Sequence, residues 1–305
     1  MGKNNNKKGI LFACTTAALW GFLALAIKFA TQYIPPSSII WVRFSIAFLI
    51  LGMFLGFRQP AQLKILLRPP FLLIMAALCL SFNYLGYAMG IDIISPAGAQ
   101  VIIQMGPMLL AVGGVFFFKE QLSNVQLLGF GVVSIGFFLF YRHQITALFV
   151  GQEETFLLGA LWVVGAAITW AVYALFQKQL VRTYPPQQLN LFLYGLPTLL
   201  YIPVVEFNSL IALDGFGWLL MLFLGLNTLV AYGCLSEALK YTEANKVSVI
   251  ITLNPVITFA VLALMQFYEL QWLNVPKMDL STAYSGLVIL LGVAMVVGSP
   301  KKKSA

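Results

Sequence analysis

Residues 17–36 read AALWGFLALAIKFATQYIPP, and residues 167–186 read AITWAVYALFQKQLVRTYPP. Laid over one another, they share Ala17/Ala167, Trp20/Trp170, Ala24/Ala174, Leu25/Leu175, Lys28/Lys178, Pro35/Pro185 and Pro36/Pro186. Chance at such a composition gives about one or two matches in a window this short. Further along, a slightly different register pairs Tyr84 with Tyr232, Val101-Ile102-Ile103 with Val249-Ile250-Ile251, and Pro107 with Pro255. The chain therefore repeats one unit twice.

Each unit is mostly apolar. Of 305 residues, 60% are hydrophobic and only 9% charged, with a mean hydropathy of +0.90. A soluble domain carries roughly 25% charged residues, so this chain lacks the polar surface that water requires, and lipid must be its main solvent. Crossing the hydrocarbon core takes about 20 apolar residues in a helix. Ten stretches qualify: 9–31, 37–57, 71–91, 97–118, 123–141, 156–178, 187–205, 215–239, 246–267 and 281–299. They predict an all-α membrane protein with ten transmembrane helices as two inverted five-helix repeats. The first repeat covers 9–141 and the second 156–299, with basic tails at 1–8 and 300–305. Five spans is an odd number, so the second copy enters the membrane upside down. Inverted copies give two nearly equivalent states, open to either side, which is the geometry of secondary transport.

The basic residues set the expected orientation. With the N-terminus inside, the inner side receives Lys3, Lys7, Lys8, Arg58, Lys64, Arg68, Lys119, Lys178, Arg182, Lys240, Lys246 and Lys301 to Lys303, against Arg142 and Lys277 outside. Both termini are expected in the cytoplasm. The basic start followed by an apolar run resembles a signal peptide, but the run is too long and lacks a small-residue cleavage site, so it reads as a permanent span. The net charge of +8 lies in short clusters beside the spans rather than in a basic stripe, so no nucleic-acid partner is expected. Cys14, Cys79 and Cys234 lie inside apolar runs, and His143 stands alone. They provide neither a disulfide framework nor a metal cluster, and no cofactor is expected. There is no Walker motif for ATP and no mid-span Asp or Glu for a proton relay. Nor do paired aspartates or a Ser–His pair mark an intramembrane enzyme. A channel, receptor or scaffold is the competing class, but no filter loop or soluble output domain supports it.

Several features together resemble the EamA-type members of the drug/metabolite transporter superfamily. They are the A-x-x-W-G run at 17–21, Tyr33-Ile34-Pro35-Pro36, Arg43, Ser95-Pro96-Ala97, Gln104-Met105-Gly106-Pro107, Phe118-Lys119-Glu120, and Gly129 with Gly136. The second copy follows more loosely, with Asn254-Pro255, Tyr268-Glu269 and Ser285 with Gly292. The resemblance implies a permease or exporter of small organic metabolites, such as amino acids or related solutes, in a plasma membrane, the inner membrane of a bacterium. It does not name the substrate.

Polar groups inside the spans are the candidate substrate contacts. Lys28 lies two turns after Trp20 and either binds an anionic group or snorkels to the outer headgroups. Arg43, early in span two, either anchors the helix or recognises a carboxylate or phosphate with its fork. Gln100 and Gln104 share one face before Pro107, as Ser248 and Thr252 do before Pro255. The two prolines are candidate kinks beside a cavity. Asn83, Tyr84 and Tyr87 in span three, with Asn227, Thr228 and Tyr232 in span eight, form a second polar set, and Asn254 joins the first. Trp20, Trp170 and Tyr173 add aromatic walls. Each side chain has a plain alternative role in bonding one helix to another. Gly52 and Gly56, like Gly86 and Gly90, allow close helix approach, read as internal packing rather than dimerisation. A monomer or weak homodimer is expected.

Overall fold

The computed structural model describes residues 3–93, 99, 102–140, 142, 154–268 and 280–299, and among these every regular element is a helix. In chain order they are α1 (Lys3–Ala30), α2 (Pro36–Arg58), α3 (Phe71–Ile93), α4 (Met105–Phe118), α5 (Asn124–Phe140), α6 (Glu154–Leu180) and α7 (Pro186–Tyr201). There follow a short α8 (Phe207–Ile211), then α9 (Gly215–Tyr241), α10 (Ala244–Ile251), α11 (Asn254–Phe267) and α12 (Leu280–Gly298). Five helices hold a stretch long and apolar enough to cross a membrane: Asn5–Ile27, Pro36–Arg58, Phe71–Gly90, Phe156–Leu180 and Gly215–Tyr241. Met105–Phe118, Asn124–Phe140 and Tyr284–Gly298 are apolar but shorter.

The surface is unlike that of a water-soluble protein. Leu49, Leu128, Phe138, Leu161, Leu219 and Leu287 are exposed, while Thr16, Arg43, Gln126, Gln177, Asn190 and Thr228 are buried. Contiguous apolar surface of this extent would drive association in water. In hydrocarbon it is the low-energy arrangement, and polar groups turn inward to find partners.

The same local chemistry starts equivalent helices in the two copies. Pro35 (φ −59°) precedes α2 with Pro36 in its first turn, and Pro185 (φ −59°) precedes α7 with Pro186 in its first turn. Proline fits there because the first-turn N–H groups have no intrahelical acceptor. Asp214 caps α9 by accepting from Gly217 N at 2.7 Å. The expected spans 97–118 and 246–267 are not continuous helices. The first turns at Gln104 before α4, and the second breaks at Thr252 and Leu253, between α10 and α11. Pro107 and Pro255 then lie in the first turns of α4 and α11, where a missing N–H costs no hydrogen bond.

The packing keeps its pattern when the two halves are exchanged. Helix α3 packs on α6, and α9 on α1. Helix α2 meets α9 as α3 meets α7, and α4 meets α6 as α11 meets α1. The pairs α2/α7 and α5/α12 map onto themselves. Helices α5 and α12 approach so closely that a Cβ on Gly129 would lie 2.9 Å from the Gly292 carbonyl oxygen, and one on Gly292 2.8 Å from that of Gly129.

Candidate functional site

At the centre of the bundle, residues paired by the repeat touch one another. The rings of Trp20 and Trp170 meet edge to face with centroids 6.0 Å apart, and the hydroxyls of Tyr84 and Tyr232 are 2.8 Å apart. Trp20 also packs on Tyr232 at 5.3 Å, and Tyr173 lies 6.1 Å from Tyr232, ring to ring.

Arg43 lies in this cluster, only 2% exposed, and does not reach out to an interface. Its Nε donates to Thr228 Oγ1 at 3.0 Å and its Nη2 to Tyr84 Oη at 3.4 Å. The guanidinium carbon sits 5.3 Å from the centre of the Tyr84 ring, within cation–π range. Thr228 Oγ1 gives its own proton to the Leu224 carbonyl at 2.9 Å, which leaves it an acceptor for Arg43. Phe44 and Tyr194 complete the wall around Tyr84 and Tyr232. Nothing in the sequence singled them out, because an aromatic in an apolar helix has no pattern of its own.

Other candidates lie elsewhere or bond to backbone. Asn83 Nδ2 donates to the Ala166 carbonyl at 2.9 Å, tying α3 to α6. Asn227 Nδ2 donates to the Leu19 carbonyl at 2.9 Å, tying α9 to α1. Tyr87 packs in a separate small cluster with Ala99, Val163 and Phe156. Gln104 is buried at the turn before α4, and its neighbour Gly106 lies against Trp170, 3.1 Å from where a Cβ would stand. Asn254 borders Gly21 of α1 through its carbonyl, and its Oδ1 is buried without a partner. Thr252 Oγ1 donates to the Val249 carbonyl at 2.6 Å. Ser248 Oγ donates to the Pro107 carbonyl, joining α10 to α4. Gln100 lies outside the described residues, and of Lys28 only its place on α1 is described.

A second polar assembly joins turns of the two halves. Lys178 Nζ pairs with Glu120 Oε1 at 3.2 Å, both side chains nearly buried, and donates to the Thr242 carbonyl at 2.8 Å. Glu120 also accepts from the backbone N–H groups of Ala244 (2.7 Å) and Asn245 (3.0 Å). Those are first-turn donors of α10, so one carboxylate satisfies a helix N-terminus and a lysine together. The left-handed backbone of Lys119, φ 53°, ends α4 and turns Glu120 toward it. Thr242 Oγ1 donates to Asn6 Oδ1 at 2.5 Å, and Arg182 stacks over Phe118 at 4.8 Å. Charge counting places Lys178 at the inner surface and gives Glu120 no role. The available signal was the register match of Lys28 with Lys178. A third network, Gln177 to Asn190 (3.1 Å) and Ser236 (2.7 Å), bonds α6, α7 and α9 below Tyr232.

The comparisons agree with this architecture. The EamA-like transporter family matches twice, at residues 7–142 and 157–298. A protein of Escherichia coli (strain K12), named as the uncharacterized inner membrane transporter YhbE, is 30% identical over 290 residues, covering 94% of this chain and 90% of its own. An uncharacterized transporter of Haemophilus influenzae is 28% identical over 288 residues, covering 94% of each chain. A solved crystal structure, 20% identical, shares the fold with a TM-score of 0.77, covering 95% of this chain and 97% of its own. The chain is a multi-pass membrane protein and belongs to the EamA-like transporter family.

Proposed function

We propose that this transporter moves small organic metabolites, amino acids or related solutes among them, across a bacterial plasma membrane by alternating access. Its two five-span halves, 9–141 and 156–299, exchange roles about a two-fold axis in the membrane plane. The observation that carries the reading is the meeting of repeat mates, Trp20 with Trp170 and Tyr84 with Tyr232, within a packing pattern that survives exchange of the halves. An odd number of spans per half makes such an axis lie in the membrane. The substrate binds at the centre, against Trp20, Arg43, Tyr84, Trp170, Tyr173 and Tyr232. Gln104, Thr252 and Asn254 border the path at the helix breaks, where backbone groups are freed from the helical ladder.

The assembly of Glu120, Lys178 and the α10 N-terminus lies at the end that the basic-residue count places in the cytoplasm, with both termini. In this reading it is the closed inner gate, and the conformation is closed to the inside. The protein works as a monomer or weak homodimer surrounded by lipid. The test is untargeted metabolite profiling, inside and outside, of cells that overexpress or lack the gene, followed by proteoliposome flux of whichever solute shifts. One or a few small solutes should redistribute. Identical profiles and no flux of any candidate solute would end the reading.

A further inference from the structure

We infer that the central site takes a substrate bearing a single carboxylate, held by Arg43 as its counter-ion. This rests on the transport reading above and names the substrate class for that site. The argument is a count of protons. A guanidinium carries five N–H donors, and Arg43 uses one on Thr228 Oγ1 and one on Tyr84 Oη. No carboxylate among the described residues pairs with it. The two phenols beside it, Tyr84 and Tyr232, bring two O–H protons to a single O···O contact. Among the described residues the one further side chain hydrogen-bonded to either hydroxyl is Arg43, itself a donor. One phenolic proton of the pair therefore has no acceptor among the described residues, whichever oxygen donates. Tyr173 Oη, on a fully buried side chain ring-to-ring with Tyr232, has no hydrogen-bond partner among the described residues.

The site thus holds a positive charge and several donors that no acceptor among the described residues receives. Buried donors are normally satisfied, and a buried charge normally has a partner. The missing partner is an acceptor-only anion. One guanidinium balances one negative charge, which matches a carboxylate better than a phosphate dianion. The faces of Trp20 and Trp170 suit an apolar or aromatic body beside it. No acid among the described residues lies there to receive an ammonium, so the amino group of a zwitterion would meet those π faces or the unpartnered Asn254 Oδ1.

The test uses the purified full chain in detergent and four probes: phenylacetate, its neutral isostere phenylacetamide, phenyl phosphate and L-phenylalanine. Binding is read as a concentration-dependent rise in melting temperature. Phenylacetate or L-phenylalanine should stabilise the wild type, with the amide inert. Arg43→Gln should abolish the response, and Arg43→Lys should keep part of it, since charge survives without the fork. Tyr173→Phe removes one donor and no charge, and so keeps the test open should Arg43→Gln not fold. It should raise the half-effective concentration about three- to tenfold, as loss of a hydrogen bond to a charged group would. Equal stabilisation by the amide, an undiminished response in folded Arg43→Gln or in Tyr173→Phe, a response to phenyl phosphate alone, or none to either carboxylate at tens of millimolar would each overturn the inference. Because binding is read without flux, a failure here leaves the transport reading standing. Unchanged metabolite profiles with intact carboxylate binding would sink transport instead.

Discussion

Glu120 ties the two halves together through one side chain. Its carboxylate holds a buried lysine and two backbone donors of α10 at once, joining a turn of the first copy to two elements of the second. Glu120→Gln keeps the size of the side chain but leaves the Lys178 ammonium buried beside a neutral group. Breaking a buried pair in this way costs about 3–5 kcal/mol. The variant should melt well below wild type in detergent, and adding Lys178→Met should recover part of the loss. Equal melting temperatures for wild type and Glu120→Gln would show that the pair contributes no stability. The sequence could not reveal this contact. Charge counting tells which side a lysine is on and nothing about whether it is buried, and the partners meet only because three chain turns converge. Arg43 was visible in the sequence as a charge inside a span. Its setting among Thr228, Tyr84 and Tyr232 was not, because it depends on how α2, α3 and α9 rotate against each other.

The helices themselves were more legible. The apolar runs located the elements, because their length and punctuation come from the chain alone: Pro35-Pro36 and Pro185-Pro186 start α2 and α7 where expected. The breaks at Gln104 and at Thr252–Leu253 were less so, since a proline in a run marks a weak point but not the residue that gives way. The tight crossing of α5 and α12 offers a test at this scale. Gly292→Ala would place a Cβ 2.8 Å from the Gly129 carbonyl oxygen and 2.7 Å from Val133 Cγ2. Overpacking of this kind costs about 1–3 kcal/mol. Gly131→Ala, on α5 with open space around it, should be neutral or stabilising by about 0.5–1 kcal/mol through helix propensity alone. Thermal melts of the two variants compare them directly, and equal effects would mean that the α5/α12 approach is looser than described.

For the whole molecule, the main helix pairings correspond when the halves are swapped. Trp20 touches Trp170, and Tyr84 touches Tyr232, the contacts that the proposed axis would require. Orientation rests on the basic residues, so a reporter active only outside the cytoplasm should be silent when fused at Ala305, and an active fusion would refute the ten-span arrangement. The most direct measurement of alternating access follows a single cysteine at Gln104 in a protein otherwise freed of Cys14, Cys79 and Cys234. Membrane-impermeant thiol reagents are applied to right-side-out and inside-out vesicles, with and without Glu120→Gln. With Glu120 in place, the cysteine should react from the outside and be shielded from the inside by the closed gate. Glu120→Gln should open the inner route and raise labelling from the inside about tenfold or more, since even 1.4 kcal/mol shifts a two-state balance that far. Labelling that stays on the same side at the same rate in both proteins would contradict two exchanging states.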